Sequence, residues 1–446
     1  MTAVMKISNW GRFPAIDAIV NSFSGANDLK NELPGYKHFI ARGLGRCYGD
    51  SSLSKNILST LKFNRITSLN LADGIIVCQA GVTLKDIIEI IVPKGWFLPV
   101  TPGTKFVTVG GAVASDVHGK NHHRVGSFSE FVLYLDLMLS DGSIIRCSKE
   151  ENIDSFRAVC GGMGLTGIIL AVSLKLQKIE TSYIKQKLIK TKNLAETMDL
   201  FEKHDRQTYS VAWIDCLSRG TSAGRSILML GEHARTEELK KHPAAETPLK
   251  LTEKNSLRIP FFFPKACLNN YSARLFNFFY YHKKTGEDSI IDLDAFFYPL
   301  DIIHDWNKIY GSRGFIQYQF VLPKEISKKG LSEILKKIND RRRGCFLAVL
   351  KLMGPENRNR ISFPMEGYTL ALDFPMTPDL FGFLNELDKI VQGHGGRLYL
   401  AKDARMSKGM FLGSYSRAED FINIKNRLDK DNRFESLQSK RIGLSQ

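Results

Sequence analysis

Residues 161–179 read GGMGLTGIILAVSLKLQKI, and the fold turns on the segment after the glycines. Gly162, Gly164 and Gly167 form a literal G-x-G-x-x-G. In a Rossmann dinucleotide site that pattern comes after a strand and opens a helix whose N-terminus takes the pyrophosphate. Here the glycines run into IILAVSLKLQKI, which alternates with period two and is rich in branched residues, so a strand is predicted. The dinucleotide fingerprint fails on context. What remains is a tight turn able to lie close to a cofactor.

Working upstream, FVLYLDLMLSDGSIIRCS (131–148) reads as a hairpin with Asp141 and Gly142 at its turn. Before it comes TPGTKFVTVGGAVASDVHGKNHHRVGSF (101–128), where His118 and His122 stand at the i, i+4 spacing that holds zinc on a helix. Glycines at 103, 110, 111, 119 and 126 argue against any helix there, since each costs about 1 kcal/mol in a helix interior. No glutamate lies between the histidines either, so no metal site is expected. TLKDIIEIIVPKG (83–95) has apolar residues at helical spacing and a Pro-Gly stop, GIIVCQAG (74–81) is a buried strand, and HFIARGLGRCYGD (38–50) is a short strand feeding a loop able to wrap an anion.

Downstream the texture changes near residue 183, where strands begin to alternate with amphipathic segments such as LSEILKKINDRR, as in a second domain inserted after the first. The aromatic and basic stretch IPFFFPKACLNNYSARLFNFFYYHKK (259–284) fits either a membrane-facing surface or that domain's core. GGRLYLAKDARM (395–406) leads to DKDNRFESLQSKRIGL (429–444), which reads as an exposed helical tail.

The 446 residues suggest two or three domains of ordinary globular composition. Seven cysteines, odd in number and without CxxC spacing, read as reduced thiols in a cytoplasmic setting. No signal peptide and no run of about 18 apolar residues is found, so membrane contact is expected to be peripheral. A net charge of +16 implies an anionic partner. The basic residues are dispersed and carry no nucleic-acid motif, so no nucleic acid is expected.

Taken in order, ARGLGRCYGD, PGTKFVTVGGAVASDVHGKNHH, GGMGLTGII, GRLYLAKDAR and DNRFESLQSKR resemble the flavin-linked oxidases of the vanillyl-alcohol oxidase superfamily, in the branch that acts on a polyprenylphosphoryl ribose. HGKNHH, WNKIYG, FIQYQFVLP and LKLMGP extend the likeness over nearly the whole chain. The resemblance implies an α+β fold: a bipartite FAD-binding domain of residues 1–182 and 397–446, with an antiparallel-sheet substrate domain at 183–396. It implies FAD held noncovalently in loops by Arg42, Gly43, Leu44, Gly45, Arg46, Cys47, Tyr48, Gly49 and Asp50, whose backbone N–H groups can cradle a pyrophosphate. Gly103, Thr108, Val109, Gly110 and Gly111 would form a second wall, Ser115, Asp116, Val117 and His118 would run along the flavin, and Ile169 and Tyr399 would complete the site. No histidine occupies 42–50 to carry a covalent flavin, although Cys47 does lie there.

Lys402, Tyr48 and His118 are the implied catalytic residues, with Lys402 and Tyr48 both open as acceptor of the hydroxyl proton and Lys402 open also as the group that positions the alcohol and neutralises charge on the reduced flavin. Lys120, Gln317, Gln319, Lys351 and Thr369 would bind substrate; Gln317 and Gln319 share a strand face, and His122 and His123 are left to packing or hydrogen bonding. In YTLALDFP the family's cysteine is Ala371 and its pocket asparagine is Thr369, so sugar contacts that differ from the family's are expected. The implied reaction oxidises the 2′-hydroxyl of a polyprenylphosphoryl-β-D-ribose, the first half of an epimerisation toward an arabinose donor for cell-envelope glycans. A short-chain NAD(P)-dependent reductase would be the pathway partner, and an anionic membrane surface the physical one. The alternative is an aldonolactone or sugar-alcohol oxidase on a soluble substrate.

Overall fold

The structure, a computed structural model, describes residues 4–252, 256–264, 267–345 and 347–445. A first sheet is built from β1 Val4–Ser8, β2 Ala15–Ser22, β3 Ile40–Arg42 and β4 Asn56–Ser59, in the order β1-β2-β4-β3. A second holds β5 Ile66–Asn70, β6 Ile75–Gln79, β7 Val132–Met138, β8 Ile144–Ser148 and β9 Ile168–Lys175, in the order β5-β6-β9-β7-β8. The hairpin is β7 and β8, and the strand after the glycine turn is β9, as their alternation predicts. In that turn Gly161 and Gly164 take φ of 83° and 76°, which glycine adopts without strain. The helix Leu84–Ile91 buries Leu84, Ile87, Ile88 and Ile91, and Thr83 caps its N-terminus by accepting from Asp86 N.

The third sheet comprises β10 Tyr183–Thr191, β11 Tyr209–Ile214, β12 Ser226–His233, β13 Ser289–Asp292, β14 Phe315–Pro323, β15 Ala348–Met353, β16 Gly367–Pro375 and β17 Arg397–Leu398. Its order is β13-β10-β12-β11-β15-β16-β14-β17, antiparallel throughout. The central strands are buried along almost their whole length. The mixed α and β elements and this large antiparallel sheet give the α+β class. Sheet three begins at Tyr183, where the texture of the sequence changes, but β17 extends it to Leu398, two residues past the expected boundary.

Two expectations fail. The 101–128 window does contain helix, at Val109–Ala114 and, for a single turn, at His122–Val125. Thr108 Oγ1 accepts from Gly111 N at 3.2 Å, and Val109, Ala112 and Val113 are buried, so capping and burial outweigh the glycine cost. The histidines at 118 and 122 nevertheless do not share a helix. The tail is not exposed either: Leu437–Ile442 is a helix with Gln438, Ser439 and Ile442 buried. Phe39 N donates to Arg433 O, Glu435 N to Phe39 O and Leu437 N to Leu53 O, so the tail closes onto the first sheet.

Candidate active site

A cavity of about 720 Å³ separates two banks. One bank is made of glycine loops and the other is a face of the third sheet. On the loop bank, the N–H groups of Gly43, Leu44, Gly45, Arg46 and Cys47 donate to no acceptor among the described residues, and all five residues line the cavity. Free N–H groups in succession make an anion cradle. The 108–111 loop acts differently. Val109 N donates to Val82 O, Gly110 N to Ala80 O and Gly111 N to Thr108 Oγ1, so this wall offers close approach rather than donors. A Cβ on Gly43 would sit 2.2 Å from Thr108 Oγ1, which is why glycine brings the two loops together. A Cβ on Gly49 would lie 1.6 Å from Asp403 O; with Tyr48 N donating to Ala401 O, this clasp sets Lys402 Nζ 3.7 Å from the centre of the Tyr48 ring.

The sheet bank is a registered surface. Gln319, Ala371, Val349 and Trp213 are direct cross-strand neighbours in turn, Lys351 pairs with Thr369, and all six line the cavity. Period-two alternation puts Gln317 on the same face. Gln319 Nε2 donates to Thr369 Oγ1 at 3.2 Å and lies 3.1 Å from His118 Nε2. An amide N–H can only donate, so His118 Nε2 accepts and its proton sits on Nδ1. That buried Nδ1 lacks a well-formed hydrogen bond, having only the Gly119 backbone nearby.

Three lysines meet inside the cavity. Burial lowers Lys402 to about 7, with Lys351 pushing the same way and Asp373 opposing. Burial and then Lys351 bring Lys120 to about 7, and burial alone brings Lys351 to about 8. Lys351 Nζ makes no hydrogen bond or ion pair among the described residues, while Lys120 Nζ donates to Phe296 O. Burial drives Tyr48 well above the usual phenol range and His118 well below the usual imidazole range, so both are neutral near pH 7.

Most of the expected residues converge here, including Arg42, Gly103, Thr108, Gly110, Gly111, Ser115, Val117, Ile169 and Tyr399. Four do not reach the cavity wall. Val109 is in the core, Gly49 is the clasp, Asp50 pairs with Arg441 at 2.7 Å, and Asp116 is enclosed behind the wall. His122 Nδ1 accepts from Gly354 N at 3.1 Å and His123 Nε2 lies 3.0 Å from Gln207 O, so both are hydrogen-bonding residues.

Asp373 was missed. It is opposite Gln317 in register, fully buried, and accepts from Gln317 Nε2 at 2.7 Å and Tyr310 OH at 3.3 Å. Burial raises it to about 7. The signal was present, because residue 373 shares the face of Thr369 and Ala371 by alternation. Trp213 and Met229 were missed for another reason: β11 is buried along its whole length and β12 along most of it, so only register shows which residues face a cavity.

The cradle, the space enforced by Gly43 and the unpartnered His118 Nδ1 suit a flavin dinucleotide. Residues 36–148 match the model of the FAD binding domain. The chain is 35% identical to decaprenylphosphoryl-β-D-ribose oxidase of Mycolicibacterium smegmatis over 99% of its own length and 98% of that protein's. It is 30% identical to an uncharacterised protein of Streptomyces coelicolor over 81% of this chain and all of the relative. A more distant likeness, 33% over 26% of this chain and 23% of the relative, is to mitochondrial D-2-hydroxyglutarate dehydrogenase of Bos taurus.

Proposed function

The chain belongs to the vanillyl-alcohol oxidase family of FAD-dependent oxidoreductases, with decaprenylphosphoryl-β-D-ribose oxidase as a relative along its full length, and on that premise we propose that it oxidises the 2′-hydroxyl of a polyprenylphosphoryl-β-D-ribose to the ketone. The end-to-end 35% identity carries this reading. Bound FAD supplies the two-electron acceptor. The cradle of N–H groups at Gly43 to Cys47 would hold its pyrophosphate noncovalently, and Arg42 and Arg46 would add positive charge beside it.

Between the two candidate bases, protonation favours Lys402. A lysine near 7 presents a neutral amine at working pH and can take the hydroxyl proton, whereas Tyr48 keeps its own and serves as donor and platform. Gln319 holds the His118 ring, whose Nδ1 proton is left for flavin or sugar. Lys351 and Lys120 bind the phosphate. With Ala371 and Thr369 on the floor, the sugar meets a methyl and a hydroxyl already committed to Phe320 O, so Gln317 and Gln319 supply the adaptable contacts.

The ketone requires a hydride donor to complete an epimerisation, which a short-chain NAD(P)-dependent reductase provides in the path to an arabinose donor. Membrane contact runs through the helix Asn270–His282: Tyr271, Leu275, Phe278 and Phe279 are exposed, as a core segment would not be, and Lys283 and Lys284 come next in the chain. Lys265 lies outside the described residues. Among the described residues no helix is long and apolar enough to cross a membrane.

The test is anaerobic bleaching of the flavin absorbance in purified protein. Farnesylphosphoryl-β-D-ribose should bleach it, and D-ribose and an aldonolactone should not; the reverse pattern would establish the soluble-substrate alternative. Acid precipitation should release the yellow colour to the supernatant. Wild type should float with anionic vesicles at low salt, and a folded Phe278→Ser, Phe279→Ser variant should not.

A further inference from the structure

Across the third sheet the cavity face changes character strand by strand. Gln317, Gln319 and Thr369 on β14 and β16 offer amides and a hydroxyl. Next in order, β15 offers Lys351. Beyond it, β11 presents Val211 and Trp213 and β12 presents Met229; past the central strands come Ile291 of β13 and Phe296 and Phe297 of the helix Leu293–Phe297. The polar side chains at this end are Gln186, Lys283 and, on the border with Lys351, Lys120, whose Nζ donates to Phe296 O and lies 4.4 Å from the Phe296 ring centre. With neighbouring strands about 4.8 Å apart, β14 to β10 spans roughly 24 Å.

The helix Asn270–His282 roofs the apolar end. Its Tyr280 packs on Trp213 with ring centres 4.7 Å apart and on Phe276 at 5.6 Å, and Lys283 Nζ lies 4.0 Å from the Tyr280 ring centre. Asn277, 2% exposed, ties this roof down by donating to Asp215 Oδ1 at 2.7 Å. The inner side chains therefore line the cavity while Tyr271 and Phe279, 84% and 66% exposed, face outward.

We propose that the lobe between β11, β12, β13 and this roof helix binds the first isoprenoid units of the lipid carrier, fixing substrate direction as sugar on β14 and β16, phosphate at Lys351 and tail beneath the roof. This rests on the oxidation reading. The order amide, ammonium, hydrocarbon on the protein matches the order sugar, phosphate, prenyl chain on the substrate. A tail leaving the lobe emerges under a helix whose outer side is itself apolar, so it stays out of water between membrane and flavin.

Ile291→Glu places a charge in the lobe, far from Lys402 and Gln319, and Ile291→Ala is a milder variant that removes contact without charge. Holoprotein of each is assayed by anaerobic flavin reduction with farnesylphosphoryl-β-D-ribose and with β-D-ribosyl methyl phosphate, which has the same head and no tail. KM for the farnesyl substrate should rise about tenfold or more in Ile291→Glu and less in Ile291→Ala, with kcat and the methyl substrate unaffected. Equal effects on both substrates, or none on either, would overturn the proposal. Farnesyl phosphate alone should quench tryptophan fluorescence in wild type and much less in Trp213→Phe. If wild type reduces flavin with neither substrate, the oxidation reading fails, and this quench still decides whether the lobe takes a prenyl chain.

Discussion

Asp116 and Asp373 are both wholly out of water, on opposite banks of the cavity, and they are held in opposite ways. Asp116 accepts from Ser127 Oγ (2.9 Å), Ser129 N (3.0 Å), Asn357 Nδ2 (2.7 Å), Asn359 Nδ2 (2.9 Å) and Ser362 Oγ (2.6 Å). Those donors come from residues 127–129, next to the glycine loops, and from the 357–362 segment between β15 and β16, so the carboxylate fastens the two banks together. Asp373 has two side-chain donors and Lys402 as its neighbouring cation. A carboxylate met by five neutral donors works as a latch; one left short of donors is pushed up by burial, here to about 7, beside a buried lysine. Burial alone does not distinguish a structural from a chemical carboxylate. Donor supply does.

The largest effect expected is at the lysine. Lys402→Ala should slow flavin reduction by roughly two to four orders of magnitude while flavin content stays near wild type. Near-normal reduction in stopped flow would remove Lys402 from the chemistry and leave Asp373 as a second latch.

At Asp116 the expected loss is in stability. Asp116→Ala strands several buried donors and should cost about 3–5 kcal/mol in urea unfolding, with parting of the two banks visible as early flavin release. Unfolding at the wild-type midpoint would show that the latch carries no load between the banks.

Asp373→Asn is subtler, and its sign depends on pH. The folded pKa near 7 exceeds the ordinary 3.8, so the stabilising proton is held fully below about pH 4 and its contribution is lost as pH rises through 7. Lys402, lowered to about 7, runs the other way: its cost is full below 7 and vanishes as pH climbs through 10.5. Asp373→Asn should therefore be more stable than wild type at pH 8 by on the order of 1–3 kcal/mol, with the gain fading toward pH 4. Removing the anion that favours the ammonium should also move the acid limb of the reduction-rate profile down by about one pH unit. An unmoved profile with altered stability would make Asp373 purely structural.

The legible parts of this chain were those where a local pattern meets one physical constraint. Alternation after Gly167 excluded a Rossmann helix, and the expected strand is there at Ile168–Lys175. The Gly43–Cys47 cradle could be anticipated because a loop of that composition exposes its amides. The short helix at Val109–Ala114 was hidden because its stability comes from burial of Val109, Ala112 and Val113, which local glycine costs do not reveal. The tail looked solvent-exposed because Lys440 and Arg441 are charged, yet Arg441 reaches Asp50 at 2.7 Å and Asp403 at 2.9 Å, partners distant in sequence. Asp373 hid in plain alternation: its face could be read, but its shortage of donors could not.

That tail also governs how the protein is made. Phe39 cannot gain its partners Arg433 and Glu435 until nearly 400 further residues have been synthesised. At about 5–20 residues per second, the newborn flavin cradle waits on the order of 20–80 s on the ribosome with one edge unsealed. During that interval Phe39, later fully buried against Phe434 with ring centres 5.0 Å apart, has not yet met the residue that covers it. The edge beside the cradle is therefore completed last, long after the glycine loops that it flanks.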